Sequence, residues 1–380
     1  MRRDPFYQWG TISTLDIKDV VAVCVYVHRP REVWNWALNS IKAEKGEQDK
    51  PYKWMTMTKE QMFPFIDKYG QFKHNDWIGK THSDDEMKQT YIDELADLEA
   101  HPGPEGRNKY GSWLGGPQLK ATGQFRVDKY NGKWWLIDPE GYLYWSHGVV
   151  RVTPSSAMTP LDDREFYFEE LPVAESEFAE FYHTYDTLLY PYYQARNIKK
   201  IYDFSAANIK RKYGENWRQI YADMSHKRLK SWGLNTIANS SDRSICLMRR
   251  TPYVDRIELK SPELESSVGV WWKFRDPFHP EFKTSLHKQL LERKDELDDP
   301  WCVGFFIDNE IDWGESYTLG EWTLQCPATQ PAKKEMVMML KNKYKDIAVL
   351  NSTWGTSYLS WDDLLMSRQP SRMKIVPGFR

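Results

Sequence analysis

An acid, an amide and a second acid directly follow an apolar run in the segment VGFFIDNEIDWG, residues 303–314. A carboxyl group at the end of a buried strand suits acid catalysis, because its surroundings can raise its pKa and fix its position. Glu310 can then protonate the leaving oxygen of a glycosidic bond, while Asn309 holds the sugar hydroxyl beside the reacting carbon. Trp313 can supply an aromatic wall. These residue types in this order are suited to cleaving a glycosidic bond.

The same residues also have structural interpretations. Asp and Asn after a strand often cap the next helix, so Asp308 is compatible with a cap, with a backbone hydrogen bond at the strand end, and with a site. Glutamate is a poor cap, which favours a site for Glu310.

Strands and helices alternate along the chain around this segment. Apolar strands that alternate with helices are typical of an α/β fold with a parallel sheet. Functional groups collect at the carboxyl ends of such strands. The strands are predicted at residues 142–152, 233–239, 253–260 and 302–309, and the helical stretches at about 165–231, from His279 to Pro300 and from Pro331 to Lys345.

Two other predicted strands also run into polar residues. We expect His147, Arg151 and Asn239 to bind substrate together with Asn309 and Glu310. His147 is equally consistent with a packed, hydrogen-bonded histidine, and Arg151 with a structural ion pair.

Composition excludes several classes of function. A net charge of -2 gives no electrostatic case for nucleic acid or an anionic membrane, and no apolar run is long enough to span a bilayer. The four cysteines form no CxxC pair, and the histidine pairs lack a carboxylate–His motif, so we expect buried free thiols, no metal and no cofactor. The 18 tryptophans indicate either a Trp-rich core or a surface that stacks on sugars.

The sequence before residue 123 does not show the alternation of strands and helices that follows it. Residues 11–44, within a first region of residues 1–45, alternate like the last pair of strands of an antiparallel sheet, which packs either on the rest of the chain or on strands upstream of Met1. Residues 46–122 are expected to form a linker and helical extension, in which Ser83 and Glu86 resemble a capping box. Asn131-Gly132 predicts a β-hairpin at the start of the third region, residues 123–380.

Several segments, taken in order, resemble the agarase family of glycoside hydrolases, family 50. The upstream QWGTISTLDIKDVVAVCVYVHRP also resembles the end of the jelly-roll domain of these enzymes. The Asn-Glu pair alone is shared with other retaining barrel enzymes, including β-galactosidases. The segments are GKWWLIDPEGYLYWSHGV, TPLDDREFYFEELP, WGLNTIANSSD, FRDPFHPEF, VGFFIDNEIDWG and LNSTWGTSYLSWDDL.

The resemblance implies a (β/α)₈ barrel of the TIM type after a β-sandwich. Glu310 would be the general acid/base and Asn309 would bind the sugar at the cleaved bond. The substrate would be agarose or neoagaro-oligosaccharides, cut at β-1,4 linkages with retention by a secreted or periplasmic enzyme. A β-galactosidase-like hydrolase and a non-catalytic carbohydrate-binding protein are the alternatives.

The retaining mechanism needs a second carboxylate, about 5–5.5 Å from the first. In this clan it comes from the seventh barrel strand, whereas only four barrel strands are predicted here. No glutamate follows Glu335, which lies in a Lys- and Met-rich segment. We therefore expect about the first half of a barrel without its nucleophile, an open sheet edge at the fourth strand, and no activity on agar for this chain. A gene fragment and a decayed enzyme both fit this expectation.

Overall fold

The computed structural model describes residues 56–184, 196–268 and 272–369. The chain divides into two compact units, Met1–Thr56 and Met57–Arg380, and the description below concerns the second. The predicted sandwich strands of residues 1–45 lie outside the described residues.

The described chain begins with α1 (Lys59–Met62) and α2 (Asp84–Ala100). The predicted N-cap of α2 is confirmed, because the Ser83 hydroxyl accepts a hydrogen bond from the backbone N–H of Glu86 at 3.1 Å. The Glu86 carboxylate accepts from the backbone N–H of His82 at 2.7 Å. Both contacts satisfy N–H groups at the start of the helix, where the first turn has no internal acceptor.

The predicted hairpin is confirmed as β1 (Arg126–Tyr130) and β2 (Lys133–Ile137), which pair antiparallel. Asn131 and Gly132 join them with φ of 49° and 75°, as a two-residue hairpin turn requires. The single strand predicted over residues 142–152 is wrong. It divides into β3 (Leu143–Tyr144), which pairs antiparallel with β2, and β4 (Gly148–Val149), which enters a different, parallel sheet.

The first part of the helical stretch predicted at 165–231 is also wrong. Three strands, β5 (Met158–Pro160), β6 (Tyr182–Thr184) and β7 (Lys200–Asp203), form an antiparallel sheet in the order β5-β7-β6. The rings of Tyr182 and Tyr202 pack 4.9 Å apart between β6 and β7, a long-range contact that local sequence does not encode. Two 3₁₀ turns, Glu165–Tyr167 and Glu177–Phe181, precede β6. The predicted helices follow as α3 (Phe204–Tyr213) and α4 (Trp217–Ser231).

A four-stranded parallel sheet carries the candidate site. Its order, β10-β9-β8-β4, follows the order of the strands along the chain. Each of the four predicted strand regions contains one of its strands, which confirms the α/β class. The remaining strands are β8 (Thr236–Ile237), β9 (Tyr253–Ile257) and β10 (Cys302–Ile307), and the intervening helices are α5 (Arg243–Cys246), α6 (Pro280–Glu292) and α7 (Lys294–Leu297).

The core of this sheet lies along its two middle strands. Ile237 and Tyr253 pack with residues of helices α4 and α5, and Ile237 is fully buried. Three of the cysteines are buried free thiols, as expected: Cys246, Cys302 and Cys326. Burial raises the pKa of the Cys246 thiol to about 12, so this thiol is not a nucleophile at neutral pH.

Four helices follow β10 and enclose a small core of their own. The Lys- and Met-rich helix predicted from Pro331 is confirmed. Within residues 56–184, 196–268 and 272–369 we find no helix whose length and apolar character would let it cross a bilayer. The helices are α8 (Thr318–Gln325), α9 (Pro331–Tyr344), α10 (Ile347–Trp354) and α11 (Trp361–Met366), and their core contains Leu324, Val337, Leu350 and Leu364.

Candidate active site

Polar residues from three strand ends meet at the carboxyl edge of the parallel sheet. The amide of Asn239, after β8, donates to the side-chain oxygen of Asn309, after β10, at 3.3 Å. The backbone N–H of Arg151, after β4, donates to the backbone oxygen of Asn239, also at 3.3 Å. Parallel strands place their carboxyl ends on one edge, which is why residues so far apart in sequence come together. The structure thus groups three of the predicted site residues.

The backbone of this edge is strained. Among the described non-glycine residues, nine have positive φ, and four of these nine follow strands of the parallel sheet. A left-handed conformation costs an L-residue about 1 kcal/mol, and such residues cluster at functional sites. The strain is thus an indication of function that does not depend on residue type. The four residues are Arg151, Ser240, Asp308 and Glu310.

Asp308 joins the ends of β10 and β9. Its backbone N–H donates to Ile257 O at 2.7 Å, and its carboxylate accepts from the backbone N–H of Leu259 at 2.6 Å. These contacts agree with the structural interpretation of Asp308, in which it forms backbone hydrogen bonds at the strand end. Because Asp308 immediately precedes Asn309, this contact also fixes the start of the Asn-Glu pair.

The Glu310 side chain points into solvent. In the described part of the chain, its carboxylate has no hydrogen-bond or ion-pair partner, and the residue is exposed. An accessible carboxyl group on a strained turn is free to contact a ligand. The neighbouring Asn309 is half-buried and already held by Asn239.

A small cavity of about 60 Å³ lies beside Asn309. Four of its lining residues were not among the predicted site residues. Arg256 and Glu258 lie at the end of the third predicted strand, so the strand-end argument that identified Asn239 applies equally to them. Trp272 and Arg275 lie on an irregular segment, where no sequence pattern points to them. The lining residues are Arg256, Glu258, Trp272, Arg275, Asp308 and Asn309.

A larger cleft of about 380 Å³ shares Arg256 and Glu258 with this cavity. It extends along Ser240 and Lys260 to Gln289 of α6. Its volume lies in the range of ligand-binding clefts.

His147 and Trp313 do not line the small cavity beside Asn309. His147 lies before β4, at the opposite end of that strand from Arg151, and its backbone N–H donates to the side chain of the buried Asn235 at 2.8 Å. Its role as a substrate ligand stays a prediction. Trp313 is 60% exposed, and its ring meets that of Phe274 edge-on at 5.0 Å.

Comparisons with known proteins give two curated relatives from Vibrio sp. Beta-agarase B is 29% identical over 386 residues, which cover 93% of this chain and 39% of the relative. Beta-agarase A is 28% identical over 338 residues, which cover 78% of this chain and 32% of the relative. No family model matches the chain.

Solved structures of agarases share the fold of this chain. The crystal structure of an agarase matches with a TM-score of 0.72 and 29% identity, over 83% of this chain and 48% of the other. An exo-beta-agarase matches with a TM-score of 0.69 and 31% identity, over 81% of this chain and 48% of the other. The chain therefore spans about half the length of these solved relatives, and less of the curated ones.

Proposed function

We propose that this chain, which is similar to beta-agarases over most of its length, is a member of the agarase family of glycoside hydrolases and supplies the acid/base part of a retaining β-agarase site. The substrate is agarose or neoagaro-oligosaccharides, cut at β-1,4 linkages. One observation carries the proposal: Asn309 and Glu310 lie just beyond the end of β10, after Asp308, with the amide held by Asn239 and the carboxylate free.

Glu310 protonates the leaving glycosidic oxygen and then takes a proton from the attacking water. Because the Asn309 side-chain oxygen accepts from Asn239, the Asn309 NH₂ group remains available to donate to a sugar hydroxyl. Hydrogen bonds to the hydroxyl beside the reacting carbon strengthen as the transition state forms. In this proposal Asn309 binds the sugar at the cleaved bond and Asn239 orients Asn309.

The nucleophile is a second carboxylate, about 5–5.5 Å from the first in retaining enzymes. Two carboxylates line the small cavity, and both are engaged. Asp308 accepts from Leu259, and Glu258 forms an ion pair with Arg256. We therefore assign no nucleophile among the described residues.

The finer features of the fold are part of the same proposal. Four parallel strands in chain order suit the first half of a (β/α)₈ barrel. In this arrangement residues 1–45 belong to a β-sandwich, 46–122 to a linker and helical extension, and 123–380 to the barrel. Because agarose is a polymer, the enzyme would act outside the cytoplasm, secreted or periplasmic.

Replacing Glu310 in the complete reading frame that encodes this chain tests the assignment. We expect Glu310→Ala to slow agarose hydrolysis by about 10²–10⁴-fold, the usual contribution of a general acid. Hydrolysis of an aryl galactoside with a good leaving group should fall much less, because that leaving group needs no proton, and azide should restore turnover. Glu335→Gln, which changes a carboxylate in α9, is the matched control.

Equal losses on both substrates would contradict an acid/base role for Glu310. Analysis of the sugars released from agarose and from simple galactosides separates an agarase from a β-galactosidase-like enzyme. Absence of hydrolysis by the unsubstituted complete reading frame, together with sugar binding that survives Glu310→Gln, would indicate the non-catalytic alternative.

A further inference from the structure

We propose that Trp272, Phe274 and Trp313 form an aromatic platform that binds the flat face of a neutral galactan sugar unit. The inference rests on the proposed function, because it places this sugar next to the one held at Asn309. It adds a binding surface built from two separate segments.

The backbone brings the two segments side by side. Trp272 and Ile311 form a parallel bridge, and the backbone N–H of Asp312 donates to Trp272 O at 3.4 Å. Side chains two residues apart in an extended segment lie on the same face. Trp272 and Ile311 are bridge partners, so their side chains project from the same side, and Phe274 and Trp313 each follow two residues further along their segments.

Ring contacts join the two segments. The Phe274 and Trp313 rings meet edge-on at 5.0 Å with an interplanar angle of 76°. Phe274 also packs against the core formed by Leu264, Cys326 and Ala332, which fixes the middle of the platform. The platform is thus anchored in the protein interior.

The two tryptophans keep large areas open to solvent. Trp272 is 45% exposed and Trp313 60% exposed. Indole faces stack on the C–H faces of sugars while the sugar hydroxyls remain free for polar partners. Trp272 supplies the link to the reacting position, because it lines the same small cavity as Asn309.

The charges around the platform favour a neutral ligand. The two arginines of the cavity are each paired with a carboxylate: Arg256 with Glu258, and Arg275 with Glu263 at 2.8 Å. Inside the small cavity, a sulfate ester would have to break one of these pairs to gain an arginine partner, and the nearby Lys273 ammonium donates to the backbone oxygen of Glu265 at 3.3 Å. The surface therefore matches uncharged galactan units better than sulfated ones.

Affinity electrophoresis of the whole 380-residue chain in native gels containing agarose tests the proposal. We expect agarose to retard the wild-type chain, and the apparent dissociation constant to rise about tenfold in Trp272→Ala, because one stacking surface is lost. Trp272→Tyr, which keeps an aromatic face, should retain most of the binding. Trp134→Ala is the matched control, since Trp134 is 68% exposed on the distant β1–β2 hairpin.

Glu310→Gln separates this proposal from the catalytic one. In the complete reading frame Glu310→Gln should abolish hydrolysis, whereas in the 380-residue chain it should leave retardation in agarose unchanged, because the platform does not include Glu310. Wild-type retardation that is absent, unaffected by Trp272→Ala, or equally reduced by Trp134→Ala would overturn the platform. Stronger binding to a sulfated galactan than to agarose would overturn its specificity for neutral sugars.

Discussion

The middle and outer strands of the parallel sheet bury the same kinds of side chain to different extents. Ile237 of β8 and Tyr253 of β9 are 0% and 1% exposed. In the outer strands, Val149 of β4 is 39% exposed, and Phe306 and Ile307 of β10 are 52% and 39% exposed. Burial of a β-branched or aromatic residue here depends on whether its strand has neighbours on both sides.

Most of the strained residues at the candidate site follow the outer strands, whereas Asn239 and Arg256 lie at the ends of the middle ones. Three of the strained residues, Arg151, Asp308 and Glu310, follow β4 and β10, and only Ser240 follows a middle strand. Among the described strands β10 pairs only with β9, and the expected open edge at the fourth strand stays a prediction. The middle strands thus supply stability, and the outer strands carry the strained residues that can contact a ligand.

A matched pair of isoleucines gives the largest expected contrast. Ile237→Ala should lower the free energy of unfolding by about 3–4 kcal/mol, because it leaves a cavity in a closed core. Ile307→Ala should cost about 1 kcal/mol, because its side chain is already partly in water. Urea denaturation followed by circular dichroism measures both changes. Equal losses would mean that the face of β10 is covered in solution.

The buried histidine His226 is expected to make the free energy of unfolding depend on pH. Burial, with a smaller contribution from Arg250, lowers the pKa of His226 to about 4. Because the unfolded chain binds this proton near pH 6.5, stability should be complete above pH 6.5 and fall as the pH drops toward 4. We expect a loss of about 2 kcal/mol over this interval.

Substitution separates this histidine from the other titrating groups. His226→Gln should flatten the pH dependence of the free energy of unfolding, while the exposed His183→Gln on β6 should leave it unchanged. Chemical denaturation between pH 7 and pH 4.5 makes the comparison. An unchanged slope in His226→Gln would assign the acid sensitivity to other residues.

The smallest predicted effect concerns the strain at Glu310. Glycine adopts a φ of +50° without steric cost, so Glu310→Gly should raise the free energy of unfolding by about 0.5 kcal/mol. Glu321→Gly, inside α8, should instead lower it by about 1 kcal/mol. Thermal and urea denaturation show whether each substitution raises or lowers the free energy of unfolding. A loss of stability in Glu310→Gly would argue against strain at this turn.

Much of the fold was predictable from local patterns. The hairpin at Asn131-Gly132, the cap at Ser83, the helix from Pro331 and the four parallel strand regions all appear where the sequence indicated them. The resemblance to the agarase family is also confirmed. These features depend on turn chemistry, capping or a hydrophobic period, which are properties of consecutive residues.

The errors arose where neighbours in space decided the structure. Residues 142–152 divide between two sheets because β3 pairs with β2 while β4 pairs with β8. Residues 182–184 and 200–203 pair as strands through contacts across the chain. Local propensity does not encode such partners.

The sequence by itself determined the chemistry available to this protein, because residue types and their order place an amide and an acid at the end of a strand. Only the tertiary structure decided which residues accompany them. It brought Asn239 to Asn309, engaged Asp308 with a backbone N–H, and set Trp272 beside the same cavity. Strand pairing joins segments that are remote in sequence. Burial of apolar side chains in the middle of the sheet offsets the conformational entropy that is lost when these segments become ordered.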